Sequence, residues 1–201
     1  MFNLIRRDVI LQKRHLLIFI PFILFFIIMG IPPVVTFLVA SIFIPFNTFA
    51  YDEKAETNIL LNSLPYTRTE IIASRYLGAL VYMVLSIGVT SLVLIVFNKT
   101  FTMTDIAIGA GLFLLFAAFT FPLFHIFKPG YITTVVIIGF VFLIVIARPV
   151  GTLIAEHSTA ITDFITNLSN QVLYTGATLV IIVAYAISWG VTTTIYQRKA
   201  F

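Results

Sequence analysis

From Leu16 to Ala50 the chain runs thirty-five residues without an Asp, Glu, Lys or Arg. Crossing a hydrocarbon core about 30 Å thick takes roughly 20 apolar residues of α-helix. The run is therefore too long for one ordinary span and too apolar for a water-facing surface. The stretch "GIPP" (Gly30 to Pro33) divides it. Glycine followed by paired prolines removes two backbone donors and breaks a helix. This predicts a hairpin of helices over about 15–29 and 33–50, the first able to extend back through Lys13. The rest of the chain is of the same kind: 60% of residues are hydrophobic and 10% charged, against about 25% charged in a soluble domain. The apolar runs do not alternate as membrane β-barrel strands do. The expected fold class is all-α, a polytopic membrane protein.

Polar segments set the other breaks. Helices are predicted over about 70–97, 105–126, 131–147 and 172–196, separated by "NKTFTMT" (Asn98 to Thr104), "KPGY" (Lys128 to Tyr131) and the polar stretch 148–171. With the first hairpin this makes six transmembrane helices in a single domain, 1–201. Six spans place both termini on one side. That side holds Arg6, Arg7, Lys13, Arg14, Lys54, Arg68, Arg75, Lys128, Arg198 and Lys199; the other holds Lys99 and Arg148. Cytoplasmic flanks carry the excess of Lys and Arg, so the termini and residues 51–69 are predicted cytoplasmic and 148–171 an outer loop. The basic start is read as a retained first helix, because no small-residue cleavage site follows it.

Several function classes drop out. Without cysteine there are no disulfides, no thiol catalysis and no Cys-based metal site. No Ser/His/Asp arrangement and no H-E-x-x-H occurs. Glu156, His157 and Asp163 cluster in the outer loop at a spacing that fits no ligand motif, and His15 and His125 fall near the cytoplasmic boundary. No metal, cofactor or enzyme activity is expected of the chain. The net charge of +4 reports orientation, not nucleic acid. The sequons at Asn98 and Asn167 are patterns short enough to recur by chance. Intramembrane charges mark ion and proton paths, and the predicted spans have none well inside. That speaks against a proton-coupled carrier. Loop lengths that differ between the halves speak against an inverted-repeat transporter. With 21 Phe residues, the expected cargo is hydrophobic or amphipathic.

The longest polar interruption is "YDEKAETNILLNSLPYTRTEIIASRYL" (Tyr51 to Leu77), which holds seven of the chain's charged residues. It has an internal order. An acidic lead is followed by the short apolar stretch Ile59, Leu60, Leu61, Asn62, Ser63, Leu64, and then by Pro65. Thr67 and Glu70 stand at the spacing of a capping box, with Arg68 between them. The short stretch suits a helix lying on the lipid surface, and a sharper reading is a helix docked in a partner's groove. Two other segments suit interfacial helices. Phe2, Ile5, Val9 and Leu11 can face lipid while Arg6, Arg7, Lys13 and Arg14 meet anionic headgroups. In the outer loop, Ile161, Phe164, Ile165 and Leu168 fall on one helix face.

The island resembles the first cytoplasmic loop of permeases of the type-2 exporter superfamily of ATP-binding-cassette (ABC) transporters, in particular small six-span bacterial ones. The resemblance is carried by Asp52, Glu53 and Lys54, then by Leu60 to Pro65, Thr67, Arg68, Glu70, Ile71, Ile72, Ser74, Arg75 and Tyr76. A second, weaker similarity lies in "FPLFHIFKPGY" (Phe121 to Tyr131). The nearest look-alikes include exporters of phenol-soluble modulins and antimicrobial peptides. The resemblance implies a permease subunit in a bacterial plasma membrane, exporting its cargo with ATP hydrolysed on separate cytoplasmic ATPase subunits. It implies pairing with a second copy or a related permease. It also implies that Ile59, Leu60, Leu61, Asn62, Ser63, Leu64, Pro65, Thr67, Arg68 and Glu70 form the ATPase-coupling loop. The absence of a G-x-x-x-x-G-K-[ST] phosphate loop accords with that division of labour. The alternative expectation is a non-transporting assembly or immunity protein that acts by binding.

Overall fold

The computed structural model describes residues 13–54, 67–127, 131, 134, 136–141, 145, 152 and 170–198. Its regular structure is helical: α1 Lys13–Ile28, α2 Pro33–Lys54, α3 Arg68–Val96, α4 Met103–Ile126 and α5 Asn170–Arg198, with residues 136–141 also helical. Arg68–Val96, Met103–Ile126 and Tyr174–Arg198 are each long and apolar enough to cross a membrane, and Ile18–Ile28 and Pro33–Thr48 are shorter apolar helices. The chain is a membrane protein.

Local chemistry sets the helix ends. Gly30 closes α1 at φ +69, a conformation that glycine adopts without a Cβ clash. The Ile31 N–H then reaches back to the Phe26 carbonyl at 3.2 Å. Asn98 does the same for α3 at φ 52, with the Lys99 N–H on the Leu94 carbonyl at 3.0 Å; Asn is the other residue that tolerates this turn. The helix expected over about 105–126 starts earlier, at Met103. Thr102 caps it, its hydroxyl accepting from the Asp105 N–H while the Asp105 carboxylate takes the Thr102 N–H at 2.7 Å. The helix expected to end near Ala50 continues to Lys54. Nothing between Phe46 and Lys54 breaks it, since neither Gly nor Pro occurs there.

Three helices carry an internal proline: Pro21 in α1, Pro45 in α2 and Pro122 in α4. Each lacks the N–H that would serve the carbonyl four residues earlier. Membrane helices accept this where another donor serves the freed carbonyl.

The packing order follows from named contacts. Phe43 of α2 meets Phe19 and Phe22 of α1, with ring centroids 5.6 and 4.8 Å apart. Gly109 of α4 lies so close to α2 that an added Cβ would stand 2.8 Å from the Phe37 Cβ. Along α4 and α5, Gly111 lies against Ile181, Ala118 against Ser188 and His125 against Tyr196. The numbering rises together, so α4 and α5 run parallel. Arg68 meets Gln197 and Tyr76 meets Ser188, so α3 runs antiparallel to α5. Helical residues 136–141 lie on α4, with Val136 in the core, Gly139 against Thr120 and Phe116, and Phe140 5.0 Å from Phe116.

Two apolar cores result. One joins α2, α3, α4, Val136 and α5 around Tyr76, Phe113, Phe116 and Phe121; the other joins α1, α2 and α3 around Phe19, Ile23, Phe37, Ile44, Tyr82 and Leu94. The outward faces are also apolar, with Val84, Leu92, Leu179, Val180 and Ile182 exposed. Lipid is the solvent that suits such a surface.

Candidate functional site

Of the expected coupling-loop residues, Ile59, Leu60, Leu61, Asn62, Ser63, Leu64 and Pro65 lie outside the described residues, as do Phe2, Ile5, Val9 and Leu11 and the outer-loop set from Glu156 to Leu168. Thr67, Arg68 and Glu70 are described, and all three act within the chain. The Thr67 N–H donates to the Glu70 carboxylate at 2.9 Å, the Thr67 hydroxyl donates to the same carboxylate at 2.8 Å, and the Glu70 N–H returns to the Thr67 hydroxyl at 3.3 Å. This closes the capping box and starts α3 sharply. Arg68 reaches across to α5, its Nη1 donating to the Gln197 carbonyl at 2.7 Å. A guanidinium on a terminal carbonyl satisfies a group that the helix leaves open and meets the negative end of its dipole.

Two turns further along α3, Tyr76 is shut off from solvent. Its ring stacks on Trp189 at 5.7 Å and 9°, and meets Phe121 and Tyr185 edge-on at 5.1 Å each. Its hydroxyl lies 2.8 Å from Ser188 Oγ and 2.7 Å from Thr192 Oγ1, and Ser188 Oγ donates to the Ala118 carbonyl at 2.6 Å. Each hydroxyl has one proton, which fixes the direction of the chain. Ser188 gives its proton to Ala118, so Tyr76 donates to Ser188 and Thr192 donates to Tyr76. The final acceptor is the carbonyl that Pro122 leaves without a helical donor, four residues before it. A second strap runs beside this chain, from the Tyr185 hydroxyl to the Tyr76 carbonyl at 2.9 Å. At the α4–α5 end, His125 Nδ1 lies 2.9 Å from the Phe121 carbonyl, and its ring packs edge-on against Tyr196 at 5.5 Å.

The site is thus a junction. The first three turns of α3 are tied to the last four of α5 and, through Ser188, to α4. Cross-helix hydroxyl bonds in membranes average roughly 0.6 kcal/mol and reach about 1.7. Their larger effect is to fix register, because breaking the chain orphans several groups at once. The sequence pattern offered part of this. Tyr185, Ser188, Trp189, Thr192 and Tyr196 recur at helical spacing on one face of α5, a readable stripe; Tyr76, the partner of the first four, stands more than a hundred residues away. Beside the junction lies an apolar groove of about 590 Å³ between α4 and α5, lined by Leu115, Phe119, Pro122, Ala184, Ile187 and Val191. Ser188 also borders it, with its proton already committed to Ala118.

Residues 3–197 match the family described as ABC-2 family transporter protein. The chain belongs to that family. Searches of curated proteins and of solved structures return no match. An ABC-2 family membrane protein is the permease component of an ABC transporter and not its ATPase, so membership accounts for the apolar helices and implies ATPase subunits as partners.

Proposed function

We propose that this ABC-2 family protein is the six-span permease of an exporter that moves a hydrophobic or amphipathic cargo, a peptide among the candidates, out of a bacterial cell. Its loop between α2 and α3 is worked by a cytoplasmic ATPase. The observation that carries the proposal is the junction. α3 leaves that loop through a closed capping box, and within three turns it is bonded to α5 and α4. A displacement of the loop therefore reaches three helices together instead of being absorbed at one flexible end. The parallel course of α4 and α5 supports the six-span count, which puts both termini on one side, and the Lys and Arg excess on that side supports its being cytoplasmic. Ile59, Leu60, Leu61 and Leu64 supply the docking surface, with Asn62, Ser63 and Pro65 shaping it. Thr67, Arg68 and Glu70 form the stiff root of the lever. Two permeases, identical or related, complete the complex with two ATPases.

The test is affinity capture of the tagged chain from its native membranes, followed by an ATPase assay of what is captured, with and without a panel of amphipathic peptides. A co-purifying ATP-hydrolysing subunit is expected. Repeated capture without one contradicts the proposal and favours a membrane protein that acts by binding alone.

A further inference from the structure

Of the ten residues that line the apolar groove between α4 and α5, only Ser188 has a polar side chain. Ser188 gives its proton to the Ala118 carbonyl at 2.6 Å and lies 2.8 Å from the Tyr76 hydroxyl, so it has no donor left for an occupant. An extended peptide or a polar headgroup lying in the groove would leave its own polar groups unbonded, which is costly away from water. The groove suits hydrocarbon. Leu115, Ile187 and Val191 line it and are also exposed, so it opens onto the apolar outer surface that meets lipid.

Its place along the helices selects the kind of hydrocarbon. The α4 lining runs from Leu115 to Pro122, and α4 ends at Ile126. At 1.5 Å per residue the groove lies about 6–17 Å from that end, the depth of the acyl chains in one leaflet of a core about 30 Å thick. The level beyond that end is basic. Arg198, exposed in the last turn of α5, follows Val191 by seven residues, two turns along the same helix face. Arg68 is bound to the Gln197 carbonyl beside it, and Lys128 and Lys199 follow α4 and α5 in the sequence. Glu70, the acid at this end of α3, is turned into its own cap by Thr67. Basic side chains beside a membrane attract anionic headgroups. We propose that the groove is a phospholipid site: it holds an acyl chain of an anionic phospholipid whose headgroup lies at Arg198. Ser188 borders the groove, so the bound chain packs against the α4–α5 part of the junction and makes the stability of the junction depend on lipid. The site requires that the chain be a membrane protein and does not require that it transport.

The test compares the full chain in nanodiscs of phosphatidylcholine alone and of phosphatidylcholine mixed with phosphatidylglycerol. Wild type is expected to have the higher Tm with phosphatidylglycerol. Ala184→Trp fills the groove and Arg198→Gln removes the charge, and each should lose most of that gain. Leu92→Trp, on the exposed surface of α3, should keep it. A full gain retained by Ala184→Trp or by Arg198→Gln overturns the proposal. A second readout needs no variant: phosphatidylglycerol with a photoreactive acyl chain is crosslinked to wild type and the labelled residues are mapped. Labelling is expected to be severalfold stronger over residues 115–122 and 184–191 than over residues 84–92, and to persist in an excess of an amphipathic peptide. Labelling spread evenly over the exposed faces shows only surrounding lipid, and labelling displaced by the peptide assigns the groove to cargo; either result overturns the proposal.

Discussion

At the residue scale, the account depends on what each side chain is bonded to. Tyr76→Phe keeps the ring on Trp189 and Phe121 but removes the centre of the hydroxyl chain. Ser188→Ala removes the donor that serves the Ala118 carbonyl. Each is expected to destabilise the protein by about 1–2 kcal/mol, read as a lower Tm in detergent or nanodiscs. The double variant should cost less than the two singles added, since both lie in one chain; strict additivity would show that the bonds are independent. Glycines give a second contrast. Gly109→Ala places a Cβ 2.8 Å from that of Phe37, and overpacking of this kind costs about 1–3 kcal/mol. Gly88→Ala, with nothing within 4 Å, should be neutral or stabilising by up to about 1 kcal/mol. Equal Tm values for the two would contradict the close α2–α4 approach. None of these contacts was legible in the sequence. Pro122 announces that the Ala118 carbonyl needs a donor, yet nothing in the linear order names Ser188, seventy residues on, as that donor.

At the element scale, the sequence was most informative where the chemistry is local. Thr67 and Glu70 are three residues apart, and their reciprocal cap is written in that spacing. Gly30 before paired prolines likewise marks the end of α1. The second cap, Thr102 with Asp105, has the same local form with Asp in place of Glu; the polar run around it was read only as a break. Tyr51–Lys54 were read as loop because they are polar, although polarity sets only whether a helical turn is solvated. For the cap, Thr67→Ala is expected to cost about 0.5–2 kcal/mol. Hydrogen exchange should quicken over the first turn of α3 and not in α4. Protection unchanged at Glu70 and Ile71 would show that tertiary packing alone holds that turn.

For the whole molecule, the bonds at the α3–α5 end alter how the loop variants must be interpreted. Charge reversal at Arg68 or Glu70 cannot isolate docking, because Arg68 also serves the Gln197 carbonyl and Glu70 also closes the cap. Leu61, outside the described residues, has a side chain with no hydrogen-bonding group, and an aspartate there would oppose entry into an apolar groove. The decisive measurement is the ATPase activity that co-purifies with the chain from membranes, compared between wild type and Leu61→Asp at equal levels of inserted protein. The account predicts a co-purifying activity that Leu61→Asp lowers tenfold or more. Wild-type activity in Leu61→Asp, or none with either chain, would contradict it.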